Sequence, residues 1–263
     1  MYQHFSRPDW YFARTGRLYA AVTEHRISGA PAFMRGLRAL FVSDVHAIGR
    51  TRQGDLEALA QRMAGASPDL VLLGGDYADR REDALRVFKA WRGLHAPLGC
   101  YAVMGNNDAE AWESPLALRR EMERFGCHLL VNQSERLRLN AGTLYIAGLD
   151  DYRYGHPDST GLYPASPAPD AWRILLSHYP CRPALAPDLM LSGHTHGGQF
   201  NVLGLTPYAI GFERFSRPRR PSMAIAGLRE IDGIRLLVSK GIGASRLQLR
   251  VGVRPEVNLL VFE

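Results

Sequence analysis

Cysteine is scarce in this chain: three residues in 263, at Cys100, Cys127 and Cys181. They form neither a CxxC pair nor an even-numbered framework, which excludes a disulfide scaffold and points to free thiols in a reducing compartment. Cys100 and Cys127 each adjoin an apolar, strand-like run and are expected in the core. Long apolar runs are missing as well. No stretch approaches the roughly 18 to 20 apolar residues of a membrane-spanning helix. Met1 to Pro31, with scattered Arg, His and aromatic residues, lacks the continuous apolar segment of a secretory leader. Both absences set the expectation of a cytoplasmic protein. No Gly/Ser-rich or Pro-rich linker, internal repeat or low-complexity tract divides the chain, so one domain is expected. Acid is in deficit: 32 Lys and Arg against 26 Asp and Glu give a net charge of +6. That balance suits an anionic partner such as a phosphate ester, nucleic acid or lipid surface, although solvated faces are the usual explanation of basic residues spread along helices.

What is present reads as an ordinary globular composition, 46% hydrophobic and 22% charged. "RALFVSD" (Arg38 to Asp44) and "DLVLLGGD" (Asp69 to Asp76) are short apolar runs ending in polar residues, as buried strands do. Between them Leu56, Leu59, Ala60 and Met63 recur at helical spacing, and strand, helix, strand makes a parallel βαβ unit. The alternation continues with a helix carrying Ala84, Phe88 and Trp91 and a strand ending at Met104. A further helix opens with Ser114 as N-cap and Pro115 at its first position, with Leu118, Met122 and Phe125 on its face. After Cys127 come short strand-like runs separated by turn residues, which predict a second sheet. The fold class expected is α/β, with two packed sheets and helices outside.

"MGNND" (Met104 to Asp108) follows such a strand, and a turn is its simplest reading. Four other strand ends carry similar residues: "SDVH" (Ser43 to His46), "GGDYAD" (Gly74 to Asp79), "SHYP" (Ser177 to Pro180) and "GHTHGG" (Gly193 to Gly198). In open α/β sheets ligands bind outside the carboxyl ends of strands, so these loops can converge on one crevice. Asp44 and His46, like His194 and His196, are two residues apart and project from the same side of an extended chain. Core packing has no use for Asp, His and Asn at successive strand exits, because buried polar groups cost free energy unless paired. A mixed Asp/His/Asn set suits Mn, Fe or Zn rather than Ca or Mg alone.

Together, Asp44-x-His46, Gly75-Asp76-x-x-Asp79, Gly105-Asn106-Asn107-Asp108, His178 and Gly193-His194-x-His196 resemble the calcineurin-like metallophosphoesterase superfamily, in its motif order. The ending Val238 to Phe262 is similar to the tail of a bacterial, YkuE-type phosphoesterase subgroup, some members of which cleave the pyrophosphate of UDP-2,3-diacylglucosamine. The resemblance implies a four-layer α/β/β/α sandwich with two mixed β-sheets, formed by residues 37–263, with residues 1–36 as an N-terminal extension packed on it. It implies two divalent metal ions (Mn, Fe or Zn): one held by Asp44, His46, Asp76 and His196, the other by Asp76, Asn106, His178 and His194. Such a pair activates a hydroxide for attack on phosphorus. Asp79 would orient a ligand, or simply precede the helix that follows.

The family's usual motif reads Gly-Asn-His-Asp or Gly-Asn-His-Glu, in which the acid orients a His that donates a hydrogen bond or proton near the scissile phosphate. Here the His position is Asn107 and the acid is Asp108. An amide donates a hydrogen bond but delivers no proton at neutral pH. Phosphodiester or pyrophosphate bonds are therefore expected as substrates in preference to alkyl monoesters. Arg153 or His156, in "LDDYRYGHPD", would stand beside the phosphate or belong to a solvated turn. Arg217, in "GFERFSRPRRP", would hold an anionic, nucleotide-linked or lipid-linked substrate, or touch an anionic membrane peripherally, or be merely exposed. The expected partner is a phosphate-ester or nucleotide-linked small molecule, with no stable nucleic-acid complex. Two alternatives stand beside a phosphohydrolase in general: a non-catalytic, metal-bound scaffold, and a UDP-2,3-diacylglucosamine pyrophosphatase in particular.

Overall fold

The structure, a computed structural model, describes residues 18–164, 168, 170–208 and 222–263, so Arg217 lies outside the described residues. In chain order the first elements are β1 (Ala21–Ile27), β2 (Arg38–Val42), α1 (Gln53–Gly65), β3 (Leu70–Leu73), α2 (Arg81–Trp91), β4 (Cys100–Ala102), α3 (Asn106–Ala111), α4 (Pro115–Glu123) and β5 (Cys127–Leu129). There follow β6 (Gln133–Leu139), β7 (Gly142–Gly148), β8 (Ala171–Leu176), β9 (Leu189–Ser192), β10 (Gly227–Ile231), β11 (Ile234–Val238) and β12 (Glu256–Phe262). They build two six-stranded sheets, ordered β1-β12-β2-β3-β4-β5 and β10-β11-β9-β8-β7-β6. Both are mixed: β2 to β5 run parallel with β12 antiparallel to β2, and β7, β8, β9 and β11 run parallel with β6 and β10 antiparallel at the edges.

Strand alternation explains the continuous apolar runs. Leu40, Val42, Val71 and Leu73 meet Leu56, Leu59 and Met63 of α1, Val87, Phe88 and Trp91 of α2, and Leu118 and Met122 of α4. Ala39, Phe41, Leu70 and Leu72 point the other way, against Leu144, Ile146, Ile174, Leu191 and Leu237 of the second sheet. A sheet covered on both faces needs no polar side. Ser114 caps α4 as its sequence predicts, accepting from Ala117 N at 3.2 Å, with Pro115 in the first turn.

The two packed sheets with helices outside match the expected α/β sandwich. Those helices, α1, α2 and α4, cover the first sheet, whereas the outer face of the second (Leu175, Met190, Leu236, Val238) is covered by Leu162, Tyr163, Leu185 and Met223 from irregular segments. The β8–β9 connection contains Pro180, Pro183 and Pro187, which deny it a helical interior. β1 had no signature in sequence, since AVTEHRI shows no apolar run. It forms an edge by pairing in parallel with β12 from Ala21↔Glu256 to Ile27↔Phe262. The cysteines are free thiols, and Cys100 and Cys127 face each other across β4 and β5 with their sulfurs 2.8 Å apart.

This topology places the carboxyl ends of parallel β2, β3 and β4 beside those of parallel β8 and β9. The polar residues following all five strands therefore arrive at one place.

Candidate metal centre

Asp44, His46, Asp76, His178 and His196 are all buried. Asp44, His46 and His196 offer ligand atoms within 4.8 Å of one another, and so do Asp44, Asp76 and His178. Asp76 Oδ2 stands 3.3 Å from both His46 Nε2 and His178 Nε2, and Asp44 Oδ1 stands 3.4 Å from His196 Nε2. Asp44 thus touches both groups. His194 and Asn106 meet at the edge, with His194 Nδ1 3.1 Å from Asn106 Oδ1.

The backbone here is unusual. Asp44, His46, Asp76, His194 and His196 all adopt left-handed φ angles, between 41° and 67°. Non-glycine residues rarely do so, and such strain concentrates at functional sites, where the surroundings impose it. Close approach of the loops is the imposing force. A Cβ on Gly105 would collide with the Asp76 carboxylate, and one on Gly193 with Ser43 Oγ and Asp44 Oδ2. Asp108 bolts two loops together: its fully buried carboxylate accepts from Gly105 N (2.9 Å), Asp76 N (2.6 Å) and Tyr77 N (3.1 Å). It is a positioning group held away from the cleft by those amides. Burial and the neighbouring Asp76 charge push its pKa up to about 7, although the three amides hold it down.

Outer contacts fix each imidazole. His46 Nδ1 contacts Asp79 Oδ1 (2.8 Å) and His178 Nδ1 the Gly74 carbonyl (2.7 Å), so each ring turns its Nε2 toward Asp76. Those two nitrogens are buried without a hydrogen-bond partner. Buried polar atoms are nearly always satisfied, and a metal ion is the ligand that suits an imidazole lone pair aimed at a carboxylate. Electrostatics agree. Burial opposes charge on His46 and His178, yet their contacts with Asp76, helped by Asp79 at His46 and by Asp44 at both, push their pKa values up to about 10. On the protein's own charges alone, the buried carboxylates draw positive charge into the cluster. His194 goes the other way, to about 3, through burial and the field of His178. Burial, His46 and Arg250 likewise hold His196 well below the ordinary imidazole range. Both therefore present neutral rings, the form that binds metal.

Asn107 lines the cleft beside the cluster. Its backbone N–H donates to Asp76 Oδ1 (2.8 Å), and its side-chain nitrogen lies 3.4 Å from Asp79 Oδ1 and 3.0 Å from His46 Nδ1. The cleft, about 800 Å³, is also lined by Asp79, Arg153, Tyr154, Phe200, Tyr208, Arg246 and Leu247. Of the two candidates on the 149–158 turn, Arg153 reaches it. His156 does not: it is exposed, its N–H bonded to Asp150 and its carbonyl to Asn132.

Two further residues escaped the sequence. Tyr179 is buried, stacks on His194 with ring centroids 3.8 Å apart, and donates to Asn106 Oδ1 at 3.2 Å. Arg250 is fully buried, donates to the Gly243 and Lys240 carbonyls, and sets Nη2 3.0 Å from His196 Nδ1. Tyr179 adjoins His178 in "SHYP", a weak signal; Arg250 looks like any strand-end arginine.

A carboxylate behind a ligating imidazole typically contributes about 10- to 100-fold to metal affinity or activity. Asp79→Asn is expected to lose that much metal affinity in a direct metal titration. Unchanged affinity would mean that packing alone orients His46.

Comparison with known proteins bears on what such a cluster serves. The family model for calcineurin-like phosphoesterase matches residues 37–198. An uncharacterized metallophosphoesterase of Bacillus subtilis, YkoQ, is 30% identical over 87% of this chain and 84% of its own. YkuE, another uncharacterized metallophosphoesterase of that organism, is 28% identical over 92% of this chain and 85% of its own. The Escherichia coli phosphodiesterase YaeI is 28% identical over 98% and 91%.

Proposed function

The chain belongs to the calcineurin-like phosphoesterase family and is a metal-dependent phosphoesterase, and from that premise we propose that it binds two divalent ions, Mn, Fe or Zn, and hydrolyses phosphodiester or pyrophosphate bonds. The observation that carries the reading is the pair of partnerless buried nitrogens, His46 Nε2 and His178 Nε2, each 3.3 Å from the same Asp76 oxygen. A carboxylate facing two imidazoles in this way suits a bridge between two ions. We assign Asp44, His46, Asp76 and His196 to one ion, and Asp76, Asn106, His178 and His194 to the other. When bound, such ions supply Lewis acidity toward phosphoryl oxygens and a water of lowered pKa as nucleophile.

The remaining steps fall to the chain itself. Arg153 lines the cleft and would hold a non-reacting phosphoryl oxygen through charged hydrogen bonds. Asp79 orients His46, and Asn107 offers an amide N–H at the cleft wall. No side chain of the Gly105–Asp108 loop can protonate a leaving alkoxide: Asn107 is an amide and Asp108 is bonded to three backbone amides inside the fold. A phosphate leaving group, whose second pKa is about 6, scarcely needs a proton. The name of the E. coli relative, a phosphodiesterase, runs the same way.

We further read residues 37–263 as the catalytic unit and residues 1–36 as an N-terminal extension, of which residues 1–17 lie outside the described residues and β1 joins the first sheet. Among the described residues no helix is long and apolar enough to cross a membrane. The free thiols favour the cytoplasm. The scaffold alternative is set aside with the family's enzymatic character.

The test is steady-state hydrolysis of bis-p-nitrophenyl phosphate against p-nitrophenyl phosphate with Mn²⁺, using Asp76→Ala as the blank. Diester turnover well above that blank, with little monoesterase, is the expected result. Turnover no higher than the blank with Mn²⁺, and then with Fe²⁺ and Zn²⁺, would sink the reading.

A further inference from the structure

Eight large apolar side chains are exposed among the described residues, and five of them flank the cleft: Tyr154 and Leu247 on its walls, and Val202, Leu203 and Leu205 on the turn between its lining residues Phe200 and Pro207. Scattered exposed leucines need no explanation, but a concentration at one rim does.

The turn is tightly built. Val202 N donates to Leu205 O (3.1 Å), Leu205 N to Val202 O (3.0 Å), and Gly204 N to Asn201 Oδ1 (2.9 Å). Leu203 (φ 53°) and Gly204 (φ 89°) are both left-handed, the pattern of a two-residue hairpin turn in which Asn or Asp normally takes the first place. A leucine there incurs backbone strain and, being 96% exposed, buries nothing in return. Its side chain adds nothing to the fold and is available to something outside it.

The second loop is locked to this turn. The Gln199 side chain donates to the carbonyls of Ser245 (3.1 Å), Leu247 (2.9 Å) and Leu249 (3.0 Å) and accepts from Ser245 N (3.0 Å). Asn201 N donates to Val251 O at 2.7 Å. Exposed Leu247 is thereby carried on the same wall. Residues 193–208 and 233–255 contain no Asp or Glu, while Arg246 and Arg254 are exposed along the second segment.

We propose that this rim is a contact surface for an anionic membrane, with Leu203, Leu205 and Leu247 entering the interfacial layer and Arg246 and Arg254 facing lipid phosphates. Apolar tips flanked by cations, on two segments that carry no acidic residue, fit anionic lipid by the two terms that govern peripheral binding, apolar burial and attraction to the surface potential. Docked in this way, the cleft mouth abuts the headgroup layer.

The experiment is sedimentation of the full chain with vesicles of phosphatidylcholine alone and of phosphatidylcholine with roughly one-third phosphatidylglycerol, at low and high salt. Expected is binding to the mixed vesicles, weakened by salt and reduced by about tenfold or more in Leu203→Asp/Leu205→Asp. Hydrolysis of soluble bis-p-nitrophenyl phosphate by that variant should stay unchanged, since neither residue lines the cleft. Failure of the wild type to bind either vesicle, or equal binding by wild type and variant, overturns the proposal. So does wild-type self-association that the variant abolishes, which would assign the rim to a second copy of the chain. Vesicle binding is read without turnover, so its failure is distinguishable from failure of the proposed hydrolysis.

Discussion

Asp76→Asn is expected to lower bis-p-nitrophenyl phosphate turnover by more than about 10²-fold, beyond what loss of an outer partner of a ligand costs, and to reduce the protein's metal content. The substitution is chosen to change charge and little else. Asparagine is isosteric with aspartate and tolerates the left-handed backbone at this position, where φ is 56°. The Asp76 N–H keeps its bond to Asp108 whatever the side chain. What is lost is a buried anion 3.3 Å from two imidazole nitrogens. Metal analysis beside kinetics separates the outcomes: full metal content with lost activity would make Asp76 a catalytic group without a binding role. Full metal content with full activity would remove it from the centre.

A larger side chain one loop away would reach the same carboxylate sterically, because Gly105 already lies against Asp76. The centre is therefore built by loop packing as much as by ligand identity, and this divides what the sequence discloses from what it hides. The five polar loops that meet at the candidate centre were legible because each follows an apolar strand, and parallel topology sends such strands' carboxyl ends to one edge. The outward contacts were not. Tyr179 meets Asn106 across 73 residues of chain and Arg250 meets His196 across 54, with no local pattern to pair them. Nor could residue type separate Arg153 from His156. The turn between them is set by Asp151 Oδ1, which accepts from Arg153 N and Tyr154 N, and by Asp150 Oδ2, which accepts from His156 N. β1 was hidden for a related reason: an edge strand paired on one side only needs little apolar content, so its sequence looks like a loop. The left-handed angles at five candidate ligands are likewise a product of tertiary packing, invisible to local propensity.

Asn107→His is expected to create monoesterase activity where the wild type has little, raising alkyl monophosphate hydrolysis by roughly 10² to 10⁴-fold, the usual contribution of a positioned general acid. Position 107 lines the cleft, and its backbone is pinned by the bond from its N–H to Asp76 Oδ1, so an imidazole there starts from a fixed Cα beside the centre. Asp79 Oδ1, 3.4 Å from the native amide nitrogen, is available to accept from the new ring. Alkoxide departure, the step most in need of a proton, should gain most. Bis-p-nitrophenyl phosphate, with its acidic leaving group, should change little. The pH–rate profile distinguishes proton transfer from a mere change of shape: the alkyl monoester rate should fall as pH rises through the imidazole pKa, and the diester rate should not. Asn107→Ala, lacking any donor, should leave monoesterase at the wild-type level. If the histidine variant gains no monoesterase activity while retaining its metal and its diesterase, the identity of residue 107 does not set the preference, and the leaving-group argument for diester and pyrophosphate substrates loses its support.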